Sequence, residues 1–551
     1  MNKIFKSMLF LLAASTGFAL TSCSDDDLPA ADALFRPVIT ETDNIEHGLD
    51  DNLSPYMIVT WDKYTDATEY VIMAEANDGT DSKTITTDST ACTFTNLEYD
   101  KEYNVSIRCV NSVTGLQSEN YTLTTTTLDY PTKLVTPSSL DIIDVAARIS
   151  WSGIEYDSLQ IINDSNDSLV VSVVLTEEDN AAKSVIVDGL DPKTTYQARA
   201  YANDQYLGKK RFTTTAEEQY DGAVIDLRKM EMDEDAQWKW VSTDHLQQIV
   251  DSLPDQDITI VLKGGVHYRL QSLNLPQTTG TIKLITGLTL EGNAVFDCAS
   301  EFGVPNDVTV GGIILEKLNF LDYEGNKGSD NYGGHYMINA STSGHLENMT
   351  FKSCQIKYKR GVIRARSTFQ LDNLTFDDCI LDSIGGYGIA MAEDQACILN
   401  VTMNNTTCAN VQRTFVNDQK SVAGDYLITN CTFVYCVGAS RNFDDVTDCK
   451  SFTLRNCLFG IPGETPQNTS TTFSGWNSKC KPVPTADDCY FTSDVEWKLG
   501  GDPPTPTAQF AGTAIGTDTK GTFKDPEHSD FTILNTKELQ NVGDPRWYLS
   551  D

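Results

Sequence analysis

Hydrophobic and polar positions alternate with period two through most of the chain. Runs of Val, Ile, Thr, Tyr and Phe are broken by Gly, Asn and Asp, which predicts strand–turn–strand structure. In 36–128 the runs are Val59-Thr60-Trp61, Tyr70–Met73, Phe94–Leu97 and Tyr103–Ile107. In 129–216 they are Ile149-Ser150-Trp151, Leu159–Ile162, Val185–Leu190 and Tyr196–Ala200. Both stretches open on a Trp and place Leu six residues before Tyr, as Leu97/Tyr103 and Leu190/Tyr196. Helical spacing occurs at His245–Leu253, through Leu246, Ile249, Val250 and Leu253, with Ser242, Thr243 and Asp244 as N-cap candidates. The strand Ile258–Leu262 comes next.

Further on the pattern repeats. Leu346–Cys354 (Leu-Glu-Asn-Met-Thr-Phe-Lys-Ser-Cys) returns twenty-five residues later as Leu371–Cys379 (Leu-Asp-Asn-Leu-Thr-Phe-Asp-Asp-Cys). Fainter copies end at Phe320, Met403, Phe433, Phe459 and Phe491, spaced by 25 to 32 residues. Such a period without helical spacing predicts a solenoid, in which one coil cannot bury its apolar face and so stacks on the next. Stacking sets equivalent residues about 4.8 Å apart. The Asn three residues before each repeat aromatic then forms a ladder, Asn348, Asn373, Asn400, Asn430 and Asn456, continued by Asp488. The inner rung Asn373 is expected to carry more stability than Asn456. This pattern resembles the asparagine ladder of right-handed parallel β-helices in the pectin-lyase-like superfamily, over roughly 220–551. The segment Asp525–Trp547 resembles the terminal coil of secreted polysaccharide-directed β-helix proteins. Leu190-Asp191-Pro192-Lys193-Thr194-Thr195-Tyr196 resembles fibronectin type III modules, whose Tyr bonds back to the main chain at a tyrosine corner. The predicted fold is all-β: two fibronectin type III-like β-sandwiches, 36–128 and 129–216, read as stalks, then a right-handed parallel β-helix over 217–551 with an N-terminal capping helix.

The 551 residues are too many for one ordinary domain. The net charge of −37 argues against nucleic acid, which needs clustered Lys and Arg. Lys3 and Lys6 precede an apolar run, Met8–Leu20, too short to span a bilayer as a mature helix. Leu20-Thr21-Ser22-Cys23 resembles a bacterial lipoprotein cleavage box, which implies a signal peptide over 1–22, lipidation of Cys23 and a tether over 23–35. The acidic Ser24–Asp27 resembles the surface-export signal of polysaccharide-foraging Gram-negative bacteria, implying a lipid anchor in the outer membrane that faces the exterior. Without Cys23, thirteen Cys remain, an odd number, so at least one is unpaired within the chain. Cys354, Cys379 and Cys436, with Cys431, Cys457 and Cys489, form core-facing columns that default to free buried thiols. Inter-coil disulfides are compatible with an oxidising compartment. No CxxC pair occurs and only six His are present, so no metal site is expected.

The candidate chemistry lies in Lys352–Arg366, which holds Lys352, Lys357, Lys359, Arg360, Arg364 and Arg366 and no acid. Elsewhere acids outnumber bases about two to one. Alternation over Gly361–Arg366 turns Ile363 and Ala365 inward and Arg364 and Arg366 outward together. Counting back from the ladder Asn aligns Asn339 and Ser341 with Arg364 and Arg366, and with Met391 and Glu393. His335, Tyr336, Arg413, Asn417 and Asp418 fall nearby. The resemblance implies a carbohydrate groove on this face. In one reading the face binds a uronate-containing, pectin-like extracellular polysaccharide, with Arg364 and Arg366 pairing carboxylates, and Asn339, Glu393, Arg413 and Tyr336 beside them. In a second, a lyase cleaves by β-elimination near Glu393 and Asp394, the one reading in which calcium would enter as cofactor. The Asp triad and Arg-x-Pro-x-x-Arg of pectate lyases are missing, and Asp377-Asp378 and Asp444-Asp445 lack the surroundings of hydrolase sites. In a third, the chain is an adhesin. The basic stretch can also simply brace a neighbouring acidic coil. Asp322–Asp330 alternates oxygen side chains but misplaces the Gly and Glu of an EF-type calcium loop, so it reads as a polar turn.

Overall fold

The alternating runs become strands nearly throughout; about 6% of the chain is helical. The structure, a computed structural model, describes residues 32–229, 243–252, 255–327, 332–417, 423–438, 441–470, 472–534 and 536–548. Cys23, Ser242, Leu253 and Asp418 lie outside these residues. The chain divides into two compact units: the described residues through Lys133 with Asp204–Lys209, and Leu134–Asn203 with the rest from Lys210.

The first unit is a β-sandwich. Ile45–Leu49, Pro55–Thr60 and Ala91–Phe94 form one sheet; Ser82–Thr87, Glu69–Ala76, Glu102–Val110 and Tyr121–Thr126 form the other, in that order. Inward residues of both sheets build its core, with Trp61 edge-on to Tyr70 at 5.3 Å. Tyr103 turns back as the sequence predicts: its hydroxyl accepts from Glu98 N at 3.2 Å and donates to Asp81 at 2.7 Å. This is the fibronectin type III-like arrangement.

The second unit begins with the same device. Ala146–Ser150 pairs with Ser184–Asp188, and Ser158–Asn163 lies between Leu169–Val174 and Thr195–Ala202. The Tyr196 hydroxyl accepts from Asp191 N at 2.8 Å. This sandwich is fastened to the first coils downstream of it. Arg228 makes a buried two-pronged pair with Asp144 at 3.0 and 2.9 Å, and Arg148 donates to Leu290 O at 2.7 Å.

The remainder is a parallel β-helix of about nine turns. Two ten-stranded parallel sheets run its length, one from Ala223–Asp226 to Thr485–Asp487 and the other from His267–Leu270 to Thr513–Ala514. A third, short sheet has five strands: Ile338–Ala340, Ile363–Ala365, Ala390–Ala392, Phe415–Asn417 and Asp444–Val446. Inward side chains fill the lumen, with flat stacks such as Phe351 on Phe376 at 5.1 Å and Phe459 on Phe491 at 5.0 Å. The helix Thr243–Ser252 buries Leu246, Ile249 and Val250 against the first coils, as a solenoid end requires.

The register corrects three readings. The ladder is two ladders. On the first long sheet, Asn373 donates to Asn348 and Asn400 to Asn373, both at 3.0 Å, on an exposed face. Asn430 and Asn456 sit instead at the corner after that sheet, with φ of 53° and 52°, where Asn456 donates to Asn430 at 2.8 Å and Asn430 to Asn404 at 3.1 Å. The phrase Asn-x-x-aromatic occurs at both places, so counting alone merged a strand column with a corner column. For the same reason Cys354, Cys379, Cys431, Cys457 and Cys489 form one corner column rather than two, with Thr406 as its sixth member; Cys436 lies instead on a strand, opposite Val411. Cys354, Cys379, Cys431, Cys436, Cys457 and Cys489 are all free buried thiols. Third, Asp525–Trp547 is no further coil. It runs back over the outside of the second long sheet, where Asp544 accepts from Thr407 at 2.7 Å, Trp547 Nε1 donates to Thr407 at 2.7 Å and Arg546 pairs with Asp378.

Candidate functional site: an arginine face on the short sheet

The short sheet is where the basic stretch comes to the surface. Its register sets Asn339 beside Arg364, Arg364 beside Met391, Met391 beside Val416 and Val416 beside Asp445. Their flanking neighbours, such as Ile363, Ala365 and Phe415, point into the lumen, so this row points outward. The alignment read from the sequence therefore holds. The floor of the face is polar at Asn339 and Arg364, apolar at Met391 and Val416, and acidic at Asp445.

Arg364 is the best held. Its Nε donates to Glu393 at 2.8 Å, and its guanidinium carbon lies 4.0 Å from the centre of the Tyr387 ring. Burial opposes its charge, but the Glu393 bond outweighs this and holds the guanidinium above its ordinary pKa. Arg360 shares the same ring at 4.8 Å. Tyr387 is half-buried and meets Tyr336 edge-on at 5.7 Å. Gly361 makes that contact feasible, since a Cβ there would lie 2.8 Å from Tyr387 Cβ. Arg366 donates to Asn339 at 3.1 Å, and Arg413 approaches Asp445 at 3.4 Å. Among the described residues, Arg360 and Arg366 have no carboxylate within ion-pair distance. The Nε atoms of Arg360, Arg366 and Arg413 and the Tyr336 hydroxyl are shielded from water without a well-aligned partner.

The sequence-predicted residues thus divide. Asn339, Arg364, Arg366, Glu393 and Arg413 come together on the face. Tyr336 is buried, at 3% exposure, so it supports Tyr387 rather than offering a surface of its own. His335 turns away to Asp322, which also accepts from the amides of Glu324 and Gly334. Burial opposes the charge of Asp322, yet His335 and Lys359 hold its pKa below the ordinary value. The described part of Asp322–Asp330 is the polar turn expected. Asp444 and Asp445 point to opposite sides of one strand and cannot act as a pair. Asp444 is buried in the lumen beside Phe415, and burial pushes its carboxyl up to about 8. Arg441, which reaches Gly386 O at 3.4 Å, and Glu301, at 3.5 Å from Asn339, escaped the sequence reading because each is more than thirty residues from its partner. Among the described residues no group of three or more His, Cys, Asp or Glu side chains is arranged to hold a metal ion.

Fold and face define the class: a parallel β-helix preceded by fibronectin type III-like sandwiches, with one arginine-rich outer face. Residues 426–547 match a family model described as a domain of unknown function (DUF5123). That stretch takes in the last coils together with the returning tail. No curated protein matches the chain. Among solved structures, the chain is similar to a two-domain fibronectin type III segment of chicken tenascin, at 16% identity over 32% of this chain and 100% of that one, with a TM-score of 0.17. It is also similar to the FN1–FN3 domains of chicken CNTN1, at 14% identity over 33% of this chain and 65% of that one, with a TM-score of 0.15.

Proposed function

We propose that the chain is a cell-surface lipoprotein of the outer membrane whose pectin-lyase-like β-helix binds an acidic extracellular polysaccharide across the arginine face. The observation that carries this reading is the pair Arg360 and Arg366. In a chain with 78 acids and 41 bases, these two half-buried guanidiniums flank Arg364 without a carboxylate partner among the described residues. A poorly solvated cation without a counter-charge is costly, and a ligand carboxylate offsets that cost with charge-assisted hydrogen bonds. The half-buried Tyr387 ring gives the apolar face of a sugar ring a matching surface, with the buried Met391 and Val416 as its floor. Glu393 and Asp445 hold Arg364 and Arg413 in place and leave the outer two for the ligand.

Retention on immobilised polyuronate at low salt, with a neutral glycan as control, tests the reading. The double variant Arg360→Ala/Arg366→Ala should bind about tenfold or more weaker, as loss of charge-assisted contacts implies, with unchanged thermal stability within about 1 kcal/mol. Salt should weaken the wild type more than the variant, because the contacts are half-exposed and screened. A wild type that retains no acidic glycan at low salt sinks the proposal. Unsaturated product in the same assay, lost with chelator, would replace binding by β-elimination. The anchor is tested separately: Cys23→Ala should release the protein from the membrane fraction, and unchanged retention would refute it.

A further inference from the structure

The second sandwich ends in a strand that is complementary to itself. Leu169–Val174 lies at the free end of its sheet and pairs on one side, with Ser158–Asn163. Through Leu175 the sequence reads Leu-Val-Val-Ser-Val-Val-Leu, identical from either end, with Ser172 at the centre. None of these residues is charged, in a chain of net charge −37. Leu169 is 56% and Val174 80% exposed, although both are large and apolar. The main chain is also open. Leu175 N donates inward to Asp157 O at 2.9 Å, so the alternation of an antiparallel ladder turns the N–H and C=O of Ser172 and Val174 toward the free edge. A bulge between Leu169 and Val171 affects the start of the strand and leaves Val171–Val174 in regular register. The first sandwich has a strand in the equivalent end position, Ser82–Thr87, and there Lys83 and four hydroxyl side chains occupy the edge. Lysine on an edge is a common way in which natural sheets prevent pairing. The edge strand Leu169–Val174 lacks it.

We propose that two copies of the chain pair through this edge, antiparallel, about a two-fold axis at Ser172. A two-fold interface must be self-complementary, and few strands meet that condition residue by residue. This one does in sequence: Val171 falls opposite the partner's Val173 in the regular stretch, and Val170 and Leu169, at the bulge, lie toward the partner's Val174 and the partner's Leu175. Ser172 N–H donates to the carbonyl of the partner's Ser172, and the reverse bond closes the pair. Contact through one strand lies at the low end of interface size, below about 1,200 Å², so the dimer is weak and concentration-dependent. The two copies repel through their net charge, and Glu177 and Glu178 lie just beyond the strand. Salt therefore strengthens this association, the reverse of its effect on glycan binding.

Sedimentation equilibrium of the full chain over a concentration series, at low and high salt, tests the proposal. The mass should climb from 60.8 kDa toward twice that value, further at high salt. Val174→Lys, at a position exposed enough to leave the fold intact, should weaken association about tenfold or more by placing charge on the paired edge. Under oxidation Ser172→Cys should cross-link between copies several-fold faster than Ser168→Cys, also at an exposed position, since the axis makes residue 172 meet itself. A chain that stays monomeric at every concentration and salt overturns the proposal, whatever else the strand captures. So does an undiminished dimer in Val174→Lys, or equal cross-linking at residues 168 and 172.

Discussion

Two outer faces of one solenoid were treated in opposite ways. On the second long sheet, Ala409, Val434 and Leu458 point away from the lumen, yet each is at most 1% exposed. The returning tail covers them with Phe523, Phe531, Ile533, Leu539 and Val542. On the short sheet the outward row carries Asn339, Arg364 and Asp445, and side-chain pairs hold these in place of a covering segment. Outward apolar residues on a solenoid commit the chain to supplying its own cover. Outward arginines make no such demand, and Arg364 and Arg366 stay partly exposed. The difference separates stability from the proposed binding: substitutions under the tail should lower Tm, and those on the arginine face should alter the proposed glycan binding.

The sharpest break is Leu458→Ala under the tail, which should cost about 2–5 kcal/mol by the usual range for a buried Leu, read as a fall in Tm. A change within error would mean that the tail does not bury this face. Next comes the lining beneath the arginine face. The folded state holds the Asp444 proton up to about pH 8, against an unfolded value of 3.8. Its stabilising effect is complete below the unfolded value and is lost as pH rises through the folded one. Asp444→Asn should therefore leave Tm nearly unchanged at pH 4 and raise it progressively up to pH 8.5, where it relieves a buried charge. Asn456→Ala ranks third. Its amide bonds both Asn430 and, in the tail, Asn541 O, so about 1–2 kcal/mol should be lost, whereas the exposed Asn373→Ala should lose a few tenths. This inverts the order expected from the sequence, and equal losses would dismiss the corner ladder. The smallest effect is Arg364→Ala alone, whose half-exposed pair with Glu393 is worth about 0–1 kcal/mol. A loss of several kcal/mol would make Arg364 a brace and weaken the case for a binding face.

Much of this architecture was legible in the chain. Alternation, the early Trp and the Leu–Tyr spacing marked both sandwiches, because sheet packing repeats every two residues and the tyrosine corner is local. The nine-residue phrase at Leu346 and Leu371 marked the solenoid, since a stacked coil sets like residue on like. The row Asn339, Arg364, Met391 was read correctly for the same reason: those turns lie within the best-kept copies. The sequence could not say to which column a short phrase belongs, so Asn430 was placed on a strand when it stands at a corner. Nor could it say where the tail would go, since Asp525–Trp547 reaches Thr407 and Asp378 over more than a hundred residues. Local pattern determined which residues face in or out of each coil. Only the tertiary structure decided which outward faces are covered and, among the described residues, which arginines are left without a carboxylate, because both depend on partners that the repeat does not encode.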